Sequence, residues 1–175
     1  MKYSSSILTF SMCFLLFIYS ISSVDIIRSC CHKDAQNSRT VNSKFCVIAL
    51  KANPKTKYAK PEELANISIE LTMSSATNIS TQITQLLEDG KLDYDALQDC
   101  SRLYSDAKSA LQEALDHIKQ KDDQFANLKV NSVTMLQTTC EDGFKEKKGA
   151  SPLATENKQF SQLSAINLAF TNMMY

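Results

Sequence analysis

The sequence predicts an all-α fold, an antiparallel four-helix bundle preceded by a short N-terminal arm, and three observations carry that reading. The 175 residues include only three glycines and three prolines, too few punctuating residues for a chain of many short strands and turns. Apolar side chains recur at steps of three and four, the period of a helix with one buried face. Two of the stripes also hold one cysteine each in the apolar seam, Cys100 and Cys140, as expected of neighbouring helices clamped by a disulfide.

The chain opens with Met1-Lys2 and then runs almost without a polar break from Ile7 to Ile21. A basic start followed by an apolar stretch of this length is a secretory leader; a membrane-spanning helix takes about 20 apolar residues. Ser20, Ser22 and Ser23 are small side chains suited to a signal peptidase. Cleavage is expected after Ser23, with Ser22 the alternative. Residues 1–23 are therefore read as a signal peptide and 24–175 as one domain, long enough for a single core. Loss of Lys2 with the leader turns a balance of 19 basic and 19 acidic residues into a net charge near −1. Such interspersed, neutral charge gives no electrostatic reason for a nucleic acid or an anionic membrane as partner.

Residues 25–50 hold short apolar clusters, Val24, Ile26 and Ile27, then Phe45, Val47, Ile48 and Leu50, too brief to be stable helices alone in water. The first long helix is predicted from Pro61, where the missing N–H is harmless and Glu62 and Glu63 meet the positive helix end, to Gly90. Its stripe is Ala65, Ile69, Thr72, Ala76, Ile79, Ile83 and Leu86, widened by Leu64, Ile67, Leu71 and Leu87. The second, Leu97, Cys100, Tyr104, Ala107, Leu111, Ala114 and Ile118, keeps the helical step throughout. A third stripe, Phe125, Leu128, Ser132, Leu136 and Cys140, is read as one continuous helix, with residues 143–152 as a charged connection. The last helix carries Leu163, Ile166, Phe170 and Met173 behind an N-cap at Thr155. Short connections between long helices favour antiparallel packing.

Export permits disulfides, and the mature chain holds Cys30, Cys31, Cys46, Cys100 and Cys140 once Cys13 leaves. Adjacent Cys30 and Cys31 are poorly placed to pair with each other. If Cys100 holds Cys140, one of them must reach Cys46. By the chain-entropy account, closing the short loop contributes about 3 kcal/mol and the long one about 4 kcal/mol.

Nothing along the chain has the spacing of a catalytic centre, and no cofactor or metal is expected. His32 beside Cys30 and Cys31 could suggest a metal or thiol site, but disulfide use explains those cysteines. His117 is read as a lone solvated side chain. Lys145 to Lys148 is interrupted by Glu146 and reads as a wet loop. What remains is a protein-binding role.

Asp25-Ile26-Ile27, Cys31, Phe45-Cys46, Leu50 and Pro54, with a cysteine in each of two later helices, resemble the plant invertase and pectin methylesterase inhibitor family. The run from Cys140 through Glu141-Asp142-Gly143-Phe144-Lys145-Glu146-Lys147-Lys148-Gly149, with Ser151-Pro152 and Glu156-Asn157-Lys158, is similar to its pollen-allergen members, as is Leu103 to Ser109. The resemblance spans the whole mature chain. It implies a four-helix bundle with an N-terminal helical hairpin and two disulfides, Cys31 to Cys46 and Cys100 to Cys140, with Cys30 outside the family's four-cysteine plan. It further implies a mostly monomeric protein secreted to the cell wall, which blocks a secreted plant enzyme, acid invertase in preference to pectin methylesterase. A non-inhibitory secreted bundle of the allergen type is the alternative.

In the invertase-inhibiting branch, a Pro-Lys-Phe motif at the turn into the third bundle helix enters the target's active site. The matching stretch here is Asp122-Asp123-Gln124-Phe125, which keeps the aromatic and replaces the cation by acids. These four residues are the expected partner contacts. A core role for Phe125 on its apolar stripe and a capping role for the two aspartates are the plainer readings. Two sequons, Asn66-Ile67-Ser68 and Asn78-Ile79-Ser80, offer glycosylation sites near the polar side of the first long helix.

Overall fold

A computed structural model describes residues 26–33, 35–36, 41–90 and 94–174. The leader, its cleavage site and the 1–23 boundary lie outside the described residues. Residues 26–33 are helical (α1), and α2 spans Ser43–Ala52. A 3₁₀ stretch, Pro54–Tyr58, leads into α3, Pro61–Asp89, and α4 follows as Tyr94–Lys119. The chain continues through α5, Asp123–Ser132, and α6, Leu136–Glu146, to α7, Ala154–Asn172.

Local chemistry sets the ends. Asn42 accepts from the Phe45 amide at 3.0 Å and starts α2, filling one of the unpaired first-turn N–H groups. Pro61 stands in the first turn of α3, where the Glu63 carboxylate accepts from the Lys60 amide at 2.8 Å. At the other end Gly90 takes φ +63°, a left-handed conformation that a Cβ would penalise.

The bundle is α3, α4, the α5–α6 pair and α7, each packed on its two neighbours around the ring. Its core holds Ile69, Ala76, Ile79 and Ile83 of α3 against Leu97, Cys100, Tyr104, Ala107, Leu111 and Ala114 of α4, closed by Val130, Phe144 and Phe160. A second apolar cluster lies beneath the arm: Ile27, Cys31, Cys46 and Leu50 pack on Leu64, Ala65 and Ile67 of α3 and on Ile166 and Phe170 of α7. The arm is a helical hairpin joined by Cys31–Cys46, two cysteines 15 positions apart in sequence. Cys100–Cys140 ties α4 to α6 across 40 residues.

Three expectations need correcting. The third stripe is two helices, because residues 133–135 form a turn in which the Leu136 amide reaches only to Val133 O at 3.4 Å. The buried positions are Ala126, Val130, Val133, Gln137, Cys140 and Phe144, which share only Cys140 with the apolar stripe read from the sequence. Residues 143–146 are helical, and the connection begins only at Lys147. Thr155 is not the cap of α7, since Leu153 occupies that position and its amide donates to Ser151 Oγ at 3.2 Å.

Candidate docking site

The α4–α5 turn brings Asp122, Asp123, Gln124 and Phe125 together at one end of the bundle. Helix α4 closes with Asp122 N donating to His117 O at 2.9 Å and Lys121 N to Ile118 O at 3.0 Å. This pair of bonds is the Schellman arrangement, which needs a left-handed residue just past the helix. Lys121 supplies it at φ +59°, in a place that glycine usually takes. The turn is therefore tight, and it delivers Asp122 straight to the start of α5, where its carboxylate faces the Phe125 amide at 3.5 Å.

Phe125 is 53% exposed and the next residue on that ridge, Leu128, 57%, so neither fills the core. The core role suggested by the stripe is overturned: small Ala126 and branched Val130 point inward instead, and the ring of Phe125 swings to the surface. There it lies against the imidazole of His117, the ring centroids 5.5 Å apart and 21° from parallel. His117 Nδ1 also stands 3.2 Å from Asp122 Oδ2. The histidine read as solitary is thus the inner wall of the turn, partly buried between a carboxylate and an aromatic face. Sequence periodicity could not show this, because the two rings belong to different helices and meet only through the geometry of the turn.

The electrostatics of this end are mixed. Lys119 donates to Asp116 at 2.9 Å, and with a hydrogen bond from Gln112 this holds the Asp116 carboxyl below the ordinary carboxylate range. Lys129 pairs with Glu113 across α5 and α4 at 2.5 Å. Asp122 and Asp123 remain partly exposed and Gln124 exposed. Among the described residues no group of three His, Cys, Asp or Glu side chains is placed to hold a metal ion.

Further along the bundle from the turn, a buried polar knot ties three helices together. Tyr104 Oη donates to Asn157 Oδ1 at 2.5 Å, while Asn157 Nδ2 donates to Glu141 and lies 3.6 Å from Cys140 Sγ. Burial first, and the Glu141 charge second, push the Tyr104 phenol well above its usual range. Its ring meets Phe160 edge to face at 5.1 Å. One carboxamide therefore joins α4, α6 and α7 beside the Cys100–Cys140 bridge. Nothing in the sequence marks Asn157 for this role beyond a polar residue within an apolar helix.

Fold and site together define a disulfide-clamped helical bundle that presents an aromatic ridge from a stiff interhelical turn. A family model described as plant invertase/pectin methylesterase inhibitor matches residues 25–170, and the chain belongs to that family, whose members inhibit enzymes and are not enzymes themselves. A candidate invertase inhibitor of Platanus acerifolia is 43% identical over 178 residues, 99% of both chains. Pectinesterase inhibitor 12 of Arabidopsis thaliana is 35% identical over 116 residues, 65% of this chain and 66% of its own. The crystal structure of a pectin methylesterase inhibitor from Arabidopsis thaliana superposes with a TM-score of 0.61 at 25% identity, covering 85% of this chain and 95% of that one. A mutant form of such an Arabidopsis inhibitor reaches 0.65 at 27% identity, covering 77% and 91%.

Proposed function

We propose that the chain is exported to the plant cell wall and inhibits acid invertase there by filling the enzyme's substrate cleft with the α4–α5 turn. The supporting observation is the pose of Phe125: a large aromatic held out of the core, its position set by the His117 ring and the Asp122 cap. An exposed aromatic with a fixed rotamer loses little freedom on docking, and such residues dominate binding energy at interfaces. The bundle behind it is preordered by the Cys100–Cys140 bridge and the Asn157 knot. Invertase is preferred because the Platanus relatives, similar along nearly their whole length, carry that name.

Pectin methylesterase is the second reading, favoured by one feature: acids stand at Asp122 and Asp123 where the resemblance to invertase inhibitors leads one to expect a cation. Carboxylates would oppose an acidic glycosidase cleft. Titrating the mature protein against both enzymes side by side separates the readings. Slowing of invertase, with about a thirtyfold weaker inhibition by Phe125→Ala, is the expected result, the size of a central interface aromatic. Slowing of the esterase alone would transfer the assignment. Inhibition of neither at micromolar protein would leave a non-inhibitory bundle.

A further inference from the structure

We propose that the exported chain carries an N-linked glycan on Asn78 and none on Asn66. Both acceptors lie in the same triplet, Asn-Ile-Ser, on the same helix α3. Local sequence therefore gives the transferase no reason to prefer one, and the difference must come from the fold. Asn78 is exposed, with exposed Thr77 beside it and exposed Thr81 on the same face. Asn66 is partly buried, its Oδ1 sealed from solvent without a hydrogen-bond partner. The sequon hydroxyls differ in the same direction: Ser68 is buried and bonded to Ala65 O, whereas Ser80 is only partly buried.

Asn66 Nδ2, the atom a sugar would take, belongs to the same small planar group as that sealed oxygen, so a glycan there would start close against the packed surface. Asn66 also sits between Ala65 and Ile67, both in the apolar cluster that receives the arm. A glycan there would prop the arm off α3 and expose that cluster to water. Chains so modified would fold poorly and be held back, which leaves Asn78 as the occupied site in the secreted pool. The transfer itself is redox-neutral. Asn78 Nδ2 bonds to the anomeric carbon of a lipid-diphosphate-linked oligosaccharide, the bond from that carbon to diphosphate oxygen breaks, and the amide proton passes to a base.

The position has a consequence for docking. Helix α3 packs on α4 and α7, and α5 packs on the same two helices, so α3 and α5 face each other diagonally across the bundle. A glycan on the outer side of α3 would leave the Phe125 ridge uncovered. It would act as a shield on the far face while the α4–α5 turn engages a partner.

The proposal rests on the leader directing export, and the test keeps the two apart. The full chain, leader included, is expressed in plant or insect cells, and medium and lysate are compared before and after amidase release of N-glycans. Secreted wild type should lose mass on treatment. Asn78→Gln and Ser80→Ala, which break one sequon at different residues, should abolish that loss, while Asn66→Gln should retain it. Peptide mapping should find the aspartate left by the amidase at position 78 only. A mass loss that survives both sequon-78 variants, occupancy of both sites, or a secreted wild type without any loss would each overturn the proposal. A chain that stays in the cell unprocessed would bring down the export reading and the glycan together.

Discussion

Helix α4 and the α5–α6 pair lie side by side, joined by a disulfide, yet they use apolar side chains in opposite ways. Along α4 every stripe position from Leu97 to Ala114 is buried, and only the last, Ile118, is partly open. Along α5 the two largest apolar side chains, Phe125 and Leu128, stand in solvent while Ala126, Val130 and Val133 face inward. The turn at 133–135 then leaves Met135 exposed as well before α6 regains the core through Cys140 and Phe144. A helix whose periodicity and burial coincide is scaffold. One whose bulky residues miss the core has them available for something else.

The contrast can be broken most forcefully at the bond that joins the two. Replacing Cys100 and Cys140 together by alanine frees a 40-residue loop in the unfolded chain and should lower stability by about 4 kcal/mol, read from denaturant unfolding of the oxidised protein. An equally stable variant would mean that the bridge follows packing and adds nothing to it.

A matched pair of leucines sharpens the comparison. Leu111 on α4 is fully buried, so Leu111→Ala should destabilise by roughly 2–5 kcal/mol, the range of core leucine truncations. Leu128→Ala on α5 should fall within about 0.5 kcal/mol, as exposed substitutions do. Phe125→Ala should likewise leave stability nearly untouched, so that any loss of inhibition it causes is a loss of contact. Comparable destabilisation at 111 and 128 would erase the distinction between the helices.

The polar knot behind them gives a pH signature. Tyr104→Phe leaves Asn157 Oδ1 without its donor and should reduce stability by about 1–3 kcal/mol at neutral pH. The folded state holds the Tyr104 proton more tightly than the unfolded chain does, where the phenol titrates at about 10. Above that pH the unfolded state binds fewer protons, so stability falls as pH rises, while nothing is gained or lost from this group at neutral pH. Thermal melts between neutral and strongly alkaline pH should show a steeper decline in wild type than in Tyr104→Phe. Parallel declines would place the alkaline sensitivity elsewhere.

The smallest effect concerns the turn. Lys121→Gly relieves a left-handed lysine and should raise stability by up to about 1 kcal/mol if the turn keeps its shape. A drop in stability would show that the lysine side chain holds the turn in some other way.

Much of this was legible beforehand where one physical signal dominated. Pro61 and Gly90 bound α3 because each changes the backbone locally, and the α4 stripe is read correctly because burial there follows 3.6-residue periodicity alone. The α5–α6 stripe failed because Phe125, Leu128 and Leu136 obey helical spacing while lying on or near the surface, and periodicity carries no information about which apolar face wins the core. The lead-in to α7 departs from its local signal for a related reason: burial places Leu153 at the cap, although a hydroxyl such as that of Thr155 is the better capping group. His117 and Asn157 were opaque in another sense, since each acts through partners on other elements.

Helix α7 belongs to both apolar clusters: Phe160 completes the bundle and Phe170 the floor of the arm. Both clusters therefore depend on one and the same helix, and melting it would open the bundle and lift the arm together.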